Sequence, residues 1–342
     1  MKKYNIGIIG AGMYGKILMR HLQTDERANI IWVNSASERT TRSAAEEFGV
    51  EKWSTDYHNV LNDPTVDAVV IASPPFVHAE QLEESLKAGK HVLLEKPIAE
   101  SRESLQRILK AVENAPSLKV LEASCRHTRL TRKFQFIKEL IDGGKLGEIY
   151  HIHHNTLSRG TFIEYNPKGA WAMNKELAGG GPFADRGVYD LAFHLGLLND
   201  VPQLKSVQSF TRNDLRDMSK HVAFSDIEQH GAAWMEFDTG LTYYYENGGG
   251  VHNETPNETR LYGTTGGLRF HHYSWDPNEI EFFTTENDDP RRETFTVDTT
   301  GQPDDSLAIT THFLDYLDGK DEPLMTVQLA AKHMEILFKI ME

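Results

Sequence analysis

The chain carries 342 residues, 39% of them hydrophobic and 25% charged, which suits two domains of ordinary size and excludes a disordered or fibrous protein. Its 36 lysines and arginines against 50 aspartates and glutamates give a net charge of −14, which argues against non-specific binding to nucleic acid or to an anionic membrane. A single cysteine, Cys125, excludes an internal disulfide, and no apolar run approaches the roughly 20 residues of a membrane span.

Residues 4–9 read as a buried strand that begins almost at the N-terminus, where a signal peptide would need a longer apolar stretch and a cleavage site. With one cysteine, the expected compartment is the cytoplasm. Further short apolar strands are predicted at 29–34, 68–72, 91–94 and 119–122. Helical periodicity lies between them, at 13–23, 38–48, 79–88 and 102–113. This alternation predicts parallel strands with right-handed crossovers, a doubly wound α/β domain over residues 1–124.

The pattern then changes. A helix over 131–141 stops at Gly143-Gly144. Strand-like segments follow at 148–156, 204–211, 230–237, 241–246, 260–263, 268–272, 279–283 and 294–297. They predict a second, α+β domain over 125–342 with a large, mostly antiparallel open sheet. Two helices at 307–317 and 327–341 close the chain and can pack back on the first domain. Aromatic residues such as Trp234, Phe237, Tyr243 and Tyr245 give the sheet two faces to bury, so a homodimer or homotetramer is expected.

Gly10-Ala11-Gly12-Met13-Tyr14-Gly15 follows a strand directly and opens a helix. In that setting Gly10 permits a tight turn, Gly12 lets backbone approach a pyrophosphate, and Gly15 lets helix and strand pack closely. The helix N-terminus contributes N–H groups and a positive dipole end to the phosphates. An NAD site usually has a carboxylate about 20 residues on, against the ribose. Here the second strand ends on Asn34 and Ser35, with Ser37 and Arg39 just beyond. No carboxylate would repel a 2′-phosphate, so NADP is favoured and NAD possible.

The strand at 91–94 ends in Glu95-Lys96-Pro97, at the sheet edge where ligands of such folds bind. Together with the glycine loop, the chain resembles the Gfo/Idh/MocA family of glucose–fructose oxidoreductases and inositol dehydrogenases. The resemblance also covers the turn at Ser73-Pro74 with His78, the stretch Ile141-Asp142-Gly143-Gly144-Lys145-Leu146-Gly147, and Gly179-Gly180-Gly181 followed by Asp185, Gly187 and Tyr189. It implies an NAD(P)-dependent oxidoreductase acting on hydroxyl or carbonyl groups of sugars, cyclitols and related polyols. It implies cofactor contacts from Gly10, Gly12, Met13, Tyr14, Gly15, Asn34, Ser35, Ser37, Arg39, Ser73, Pro74, His78, Glu95 and Lys96. The family's usual catalytic set is the lysine of the EKP motif, an aspartate, and a histidine four residues later.

Here Lys96 and Asp185 match, and the fourth residue after Asp185 is Tyr189, as in glucose–fructose oxidoreductase and dihydrodiol dehydrogenase. A tyrosine hydroxyl can carry the proton of a hydride transfer when a neighbouring ammonium such as that of Lys96 stabilises the phenolate. Asp185 and Tyr189, four apart, are expected on one helix face. Arg126, Asn155 and Trp171 are candidates for substrate contact, the last by stacking on a sugar. The tyrosine also fits a dihydrodiol or xylose dehydrogenase, and a ligand-sensing regulator on the same fold is the non-enzymatic alternative. Of the histidines, His151 and His153 share a strand face and His154 takes the other; without cysteine or an HExxH pattern, no metal site is predicted.

Overall fold

A computed structural model describes residues 2–342, and the chain divides into two compact units. One runs up to Arg126 and takes in Pro303–Lys332; the other comprises His127–Gln302 and His333–Glu342.

The first unit alternates β1 (Tyr4–Ile9), α1 (Met13–Leu22), β2 (Ala28–Asn34), α2 (Glu38–Phe48), β3 (Lys52–Ser54), α3 (His58–Leu61), β4 (Ala68–Ile71), α4 (His78–Lys87), β5 (His91–Leu94), α5 (Arg102–Glu113) and β6 (Val120–Glu122). All six strands are parallel, in the order β3-β2-β1-β4-β5-β6. The order reverses between β1 and β4, which makes their carboxyl ends the switch point of a dinucleotide-binding sheet. Every residue of β4 is buried, as continuous apolar runs covered on both faces require. Local chemistry sets the helix ends. Ser37 accepts the Thr40 N–H to start α2, and Gly49 in the left-handed region ends it.

The second unit contains α6 (Arg132–Asp142), β7 (Ile149–Ser158), α7 (Phe162–Tyr165), α8 (Lys175–Ala178), α9 (Pro182–Asp185), α10 (Gly187–Leu197) and then β8 (Leu204–Arg212), β9 (His230–Phe237), β10 (Thr242–Gly249), β11 (Thr255–Gly263), β12 (Gly266–His271), β13 (Glu279–Glu286) and β14 (Asp289–Thr296). Its eight strands lie in the order β14-β13-β12-β11-β7-β10-β9-β8, antiparallel throughout except for the β7–β10 pair. Helix α10 is apolar nearly all round and every one of its residues is buried. It packs on the sheet through His194 against Tyr243 and on α6 through Phe193 against Phe134.

The last helices are α11 (Asp305–Asp318) and α12 (Val327–Ile340). Helix α11 belongs to the first unit. Arg27, nearly buried, pairs with Asp25, Asp315 and Asp318, and the Tyr14 and Ser306 hydroxyls are 2.8 Å apart. The second unit is therefore interrupted by Pro303–Lys332 and does not run unbroken over 125–342; α11 is one of the two closing helices that the sequence allows to pack back on the first domain.

The two sheet faces differ from expectation as well. Tyr243 and Tyr245 are fully buried and Phe237 nearly so, while Trp234 remains 43% exposed. Alternation along β10 and the helix α10 already cover the two tyrosines, so they need no partner subunit.

Candidate functional site

The glycine loop joins β1 to α1. Gly10 has φ +99, and a Cβ there would lie 2.4 Å from the Ser73 nitrogen. A Cβ on Gly15 would lie 2.1 Å from the Gly10 carbonyl oxygen. These two glycines are demanded by the backbone itself. Gly12 differs: a Cβ there meets nothing within 4 Å, so the space beside the N-terminus of α1 is open. A pyrophosphate fits that space by the chemistry of a helix N-terminus. Met13 is exposed, whereas Tyr14 is held by the Ser306 hydroxyl and by the Arg126 guanidinium 4.1 Å above its ring.

At the end of β2, Asn34 is buried and its amide donates to the Ser54 carbonyl at 2.9 Å. Its own carbonyl accepts the N–H groups of Gly10 and Ala11, so this residue shapes the loop. Ser35 is half-buried, the Ser37 hydroxyl caps α2, and Arg39 stands exposed on the first turn of α2, with no ion pair among the described residues. Arg42, one turn on, pairs with Glu46 along the helix face.

The turn after β4 carries Ser73 and Pro74, and the Ser73 hydroxyl donates to Gln81 Oε1 at 2.5 Å. His78 is fully buried. Its ring nitrogens lie 2.9 Å from the Ser73 carbonyl and 3.0 Å from that of Pro97, tying the ends of β4 and β5 together. Burial pushes its imidazole below the ordinary value. Lys96 follows β5, half-buried, and the Lys96–Pro97 peptide is cis. The Glu95 carboxylate accepts the Lys96 N–H at 3.2 Å and pairs with Arg126. Arg126 is 2% exposed and braces Glu95 and Tyr14, so its guanidinium is committed to loop structure. Strand β6 ends on Glu122, whose carboxyl burial pushes up to about 7 against hydrogen bonds from Ser124.

In the second unit the glycine run 179–181 leads into α9. The buried Glu228 carboxylate accepts the Gly181 N–H at 2.9 and 2.8 Å and the Phe183 N–H at 3.0 Å. It serves as the cap that Gly181 lacks. Burial pushes this carboxyl up, against the pull of those donors. Asp185 ends α9, and Tyr189 lies in the first turn of α10. The two do not share one regular helix, because the helix is broken at Arg186, whose guanidinium donates to Asn247 Oδ1 and the Gly248 carbonyl, each at 2.9 Å. Tyr189 is 5% exposed and sits edge-on to the His127 ring at 4.9 Å and to the Tyr273 ring at 6.3 Å.

Next to Tyr189, Asp190 is wholly buried. Its carboxylate accepts from the hydroxyls of Tyr245 at 2.6 Å and Tyr273 at 3.0 Å, and His272 Nε2 lies 3.1 Å away. Burial by itself would raise Asp190, but His154, His272 and the Tyr245 hydrogen bond outweigh it and hold the carboxyl well below the carboxylate range. His154, His194 and His272 gather around it, with ligand-type atoms within 4.8 Å of one another. Their ring nitrogens are partly committed: His194 contacts Tyr243 and Thr259, and His154 contacts Thr259. Burial pushes His154 down to about 3 and His194 well below its usual value. The cluster is thus a collar of buried imidazole rings around one carboxylate. Sequence reading missed it, because its members come from β7, α10 and the end of β12.

Asn155 lies elsewhere. His154 faces α10, so the period of two turns His153 and Asn155 to the opposite sheet face, away from Tyr189. Trp171 is half-buried in the turn between α7 and α8.

Known proteins share this architecture. Residues 4–121 match the Gfo/Idh/MocA model described as an oxidoreductase family with an NAD-binding Rossmann fold, and residues 134–269 match the Gfo/Idh/MocA C-terminal domain. The chain is 32% identical over 143 residues to myo-inositol 2-dehydrogenase of Thermotoga maritima, covering 42% of each. It is 27% identical over 212 residues to levoglucosan dehydrogenase of Pseudarthrobacter phenanthrenivorans, covering 57% of this chain and 52% of that one. These matches span about half the length of the relatives. Among solved structures, levoglucosan dehydrogenase in complex with NADH and levoglucosan aligns with a TM-score of 0.83 at 18% identity, covering 99% of this chain and 96% of that one. Apo scyllo-inositol dehydrogenase from Lactobacillus casei aligns with a TM-score of 0.75 at 23% identity, covering 99% and 95%. A doubly wound sheet with the glycine loop at its switch point, a second unit whose helices α9 and α10 carry Asp185 and Tyr189, and family matches over both place this chain in the Gfo/Idh/MocA oxidoreductase family.

Proposed function

We propose that the protein is an NADP-preferring oxidoreductase that moves a hydride between nicotinamide and a carbinol carbon of a sugar, cyclitol or related polyol. The observation that carries this reading is the glycine loop. Its outer glycines are required by the fold, while Gly12 leaves its side of the helix N-terminus open for a pyrophosphate. A bound nicotinamide supplies the hydride acceptor. In this reading the Tyr189 phenolate takes the proton of the substrate hydroxyl, becoming the phenol, as the hydride would leave for the nicotinamide and the carbonyl forms. Lys96 contributes the positive charge that favours the phenolate, and Asp185 accepts a hydrogen bond from a second substrate hydroxyl.

The preference for NADP rests on the end of β2. No carboxylate stands there, the Asn34 amide is bound to Ser54, and the Arg39 guanidinium is available for a 2′-phosphate. We further propose that the protein is cytoplasmic and forms a homo-oligomer through the outer face of its eight-stranded sheet. The test is a panel of sugars, cyclitols and open-chain polyols with NADP⁺ or NAD⁺, read by reduced-nicotinamide absorbance, beside calorimetric titration of both reduced nucleotides. Turnover and tighter NADPH binding are expected, with Arg39→Ala narrowing the nucleotide preference. Absence of turnover across the panel overturns the activity, and tighter NADH binding overturns the preference.

A further inference from the structure

Near Tyr189, across the His127 ring, the structure holds a tryptophan that sequence reading did not single out. Trp275 follows β12 in the loop 273–277 and is 63% exposed, although tryptophan is a large apolar residue. Its ring stacks on Tyr273, with centroids 4.6 Å apart and planes 15° from parallel. Tyr273 itself is 4% exposed. The His127 ring stands edge-on to Trp275 at 5.0 Å and edge-on to Tyr189 at 4.9 Å. The four rings form one cluster, buried at Tyr273 and open at Trp275.

The loop that carries these rings is tightly held. Lys133 on α6 is 1% exposed, and its ammonium donates to the carbonyls of Tyr273, Asp276 and Pro277 at 2.7, 3.2 and 3.0 Å. The Asp276 carboxylate accepts the Asn257 side-chain amide at 2.9 Å and the Tyr273 N–H at 3.3 Å. The Tyr273 hydroxyl donates to Asp190, the residue next to Tyr189. A buried ammonium spent on three loop carbonyls fixes where the loop lies, and hence where Trp275 stands relative to Tyr189.

We propose that Trp275, backed by Tyr273, is a stacking platform for the C–H face of a ring-shaped polyol, a pyranose or a cyclitol, bound beside Tyr189. This rests on the polyol oxidoreductase reading and narrows its substrate class. A pyranose or cyclitol keeps its hydroxyls around the rim and presents C–H groups on a face, which matches the electron-rich face of an aromatic ring. An open-chain polyol has no such fixed face and loses more conformational freedom on binding. The fixed loop presents the ring already in place.

The experiment compares wild type, Trp275→Ala and Trp275→Phe on D-glucose, levoglucosan and myo-inositol, with sorbitol as the open-chain control. Steady-state kinetics are paired with intrinsic-fluorescence titrations, in which the difference between wild type and Trp275→Phe isolates Trp275. Trp275→Ala is expected to raise KM for the ring substrates about tenfold, the order of one stacking contact. Its kcat stays within a few-fold, Trp275→Phe recovers most of the loss, and the ring compounds alter the Trp275 emission. NADPH binding, measured calorimetrically, is unchanged in both variants and shows that they fold. Unchanged KM in Trp275→Ala on a ring substrate that wild type turns over overturns the platform and leaves the oxidoreductase reading standing. So does an equal loss on sorbitol. Absence of turnover across the four compounds, with no change in emission, overturns both.

Discussion

By the sequence resemblance Tyr189, four residues after Asp185, takes the place of the family's usual histidine, which makes its hydroxyl the first group to test. General acid–base assistance is worth about 10²–10⁴-fold. If Tyr189 carries the proton, Tyr189→Phe lowers kcat within that range and leaves nucleotide titration unchanged, while Lys96→Ala falls at least as far. The double variant is then far from additive. A Tyr189→Phe enzyme with raised KM and near-normal kcat would instead make Lys96 the proton donor. Asp190, one residue on, has a structural part. Its carboxyl is held below the ordinary value in the folded protein, so its contribution to stability is complete above the unfolded pKa of about 3.9 and is lost as pH falls through the folded value. Asp190→Asn leaves His272 and two tyrosine hydroxyls facing an uncharged amide, at a cost of about 1–3 kcal/mol at neutral pH. In urea melts the gap between variant and wild type should shrink as pH drops below about 4; a gap independent of pH refutes the assignment. The sequence displayed Asp185 and Tyr189 through a local motif, whereas nothing local announced Asp190, whose partners lie 36 to 83 residues away in the chain.

Among the elements, the β1–α1 turn separates what folding needs from what binding needs. Gly15→Ala places a methyl against the Gly10 carbonyl and should cost about 1–3 kcal/mol, with loss of nucleotide binding. Gly12→Ala has no protein atom to meet, so its melting temperature should stay within about a degree or two of wild type, consistent with a surface change of roughly 0.5 kcal/mol, while NADPH affinity falls. Equal destabilisation of the two variants in thermal melts would contradict this division. The strands and long helices of the first unit were legible because apolar runs, Ser caps and glycine stops are local signals, as at Ser37 and Gly49. The break at Arg186 was not. Asp185 and Tyr189 have helical spacing, and the interruption comes from Arg186 reaching Asn247 and Gly248 on β10, more than 60 residues on.

For the whole molecule, the outer face of the second sheet gathers Tyr150, His151, Trp234 and Tyr262, with His151 stacked on Trp234 at 5.4 Å. Tyr150 and Trp234 are 49% and 43% exposed, an aromatic patch suited to an identical face of a second copy. Light scattering should therefore give a multiple of 38.8 kDa at micromolar concentration, and Trp234→Glu should reduce it to the single chain. A single-chain mass for the unmodified protein refutes this. The alternating α/β order, the glycine loop, the EKP strand end and the mostly antiparallel second sheet follow from the sequence by itself, because each rests on periodicity or on motifs a few residues long. The return of α11 to the first unit through Arg27, the capping of α9 by Glu228, the turning of Asn155 to the far face and the standing of Trp275 beside Tyr189 were decided by the tertiary structure. Each depends on which distant residues fill the space around a side chain, and a reading of local pattern carries no information about that.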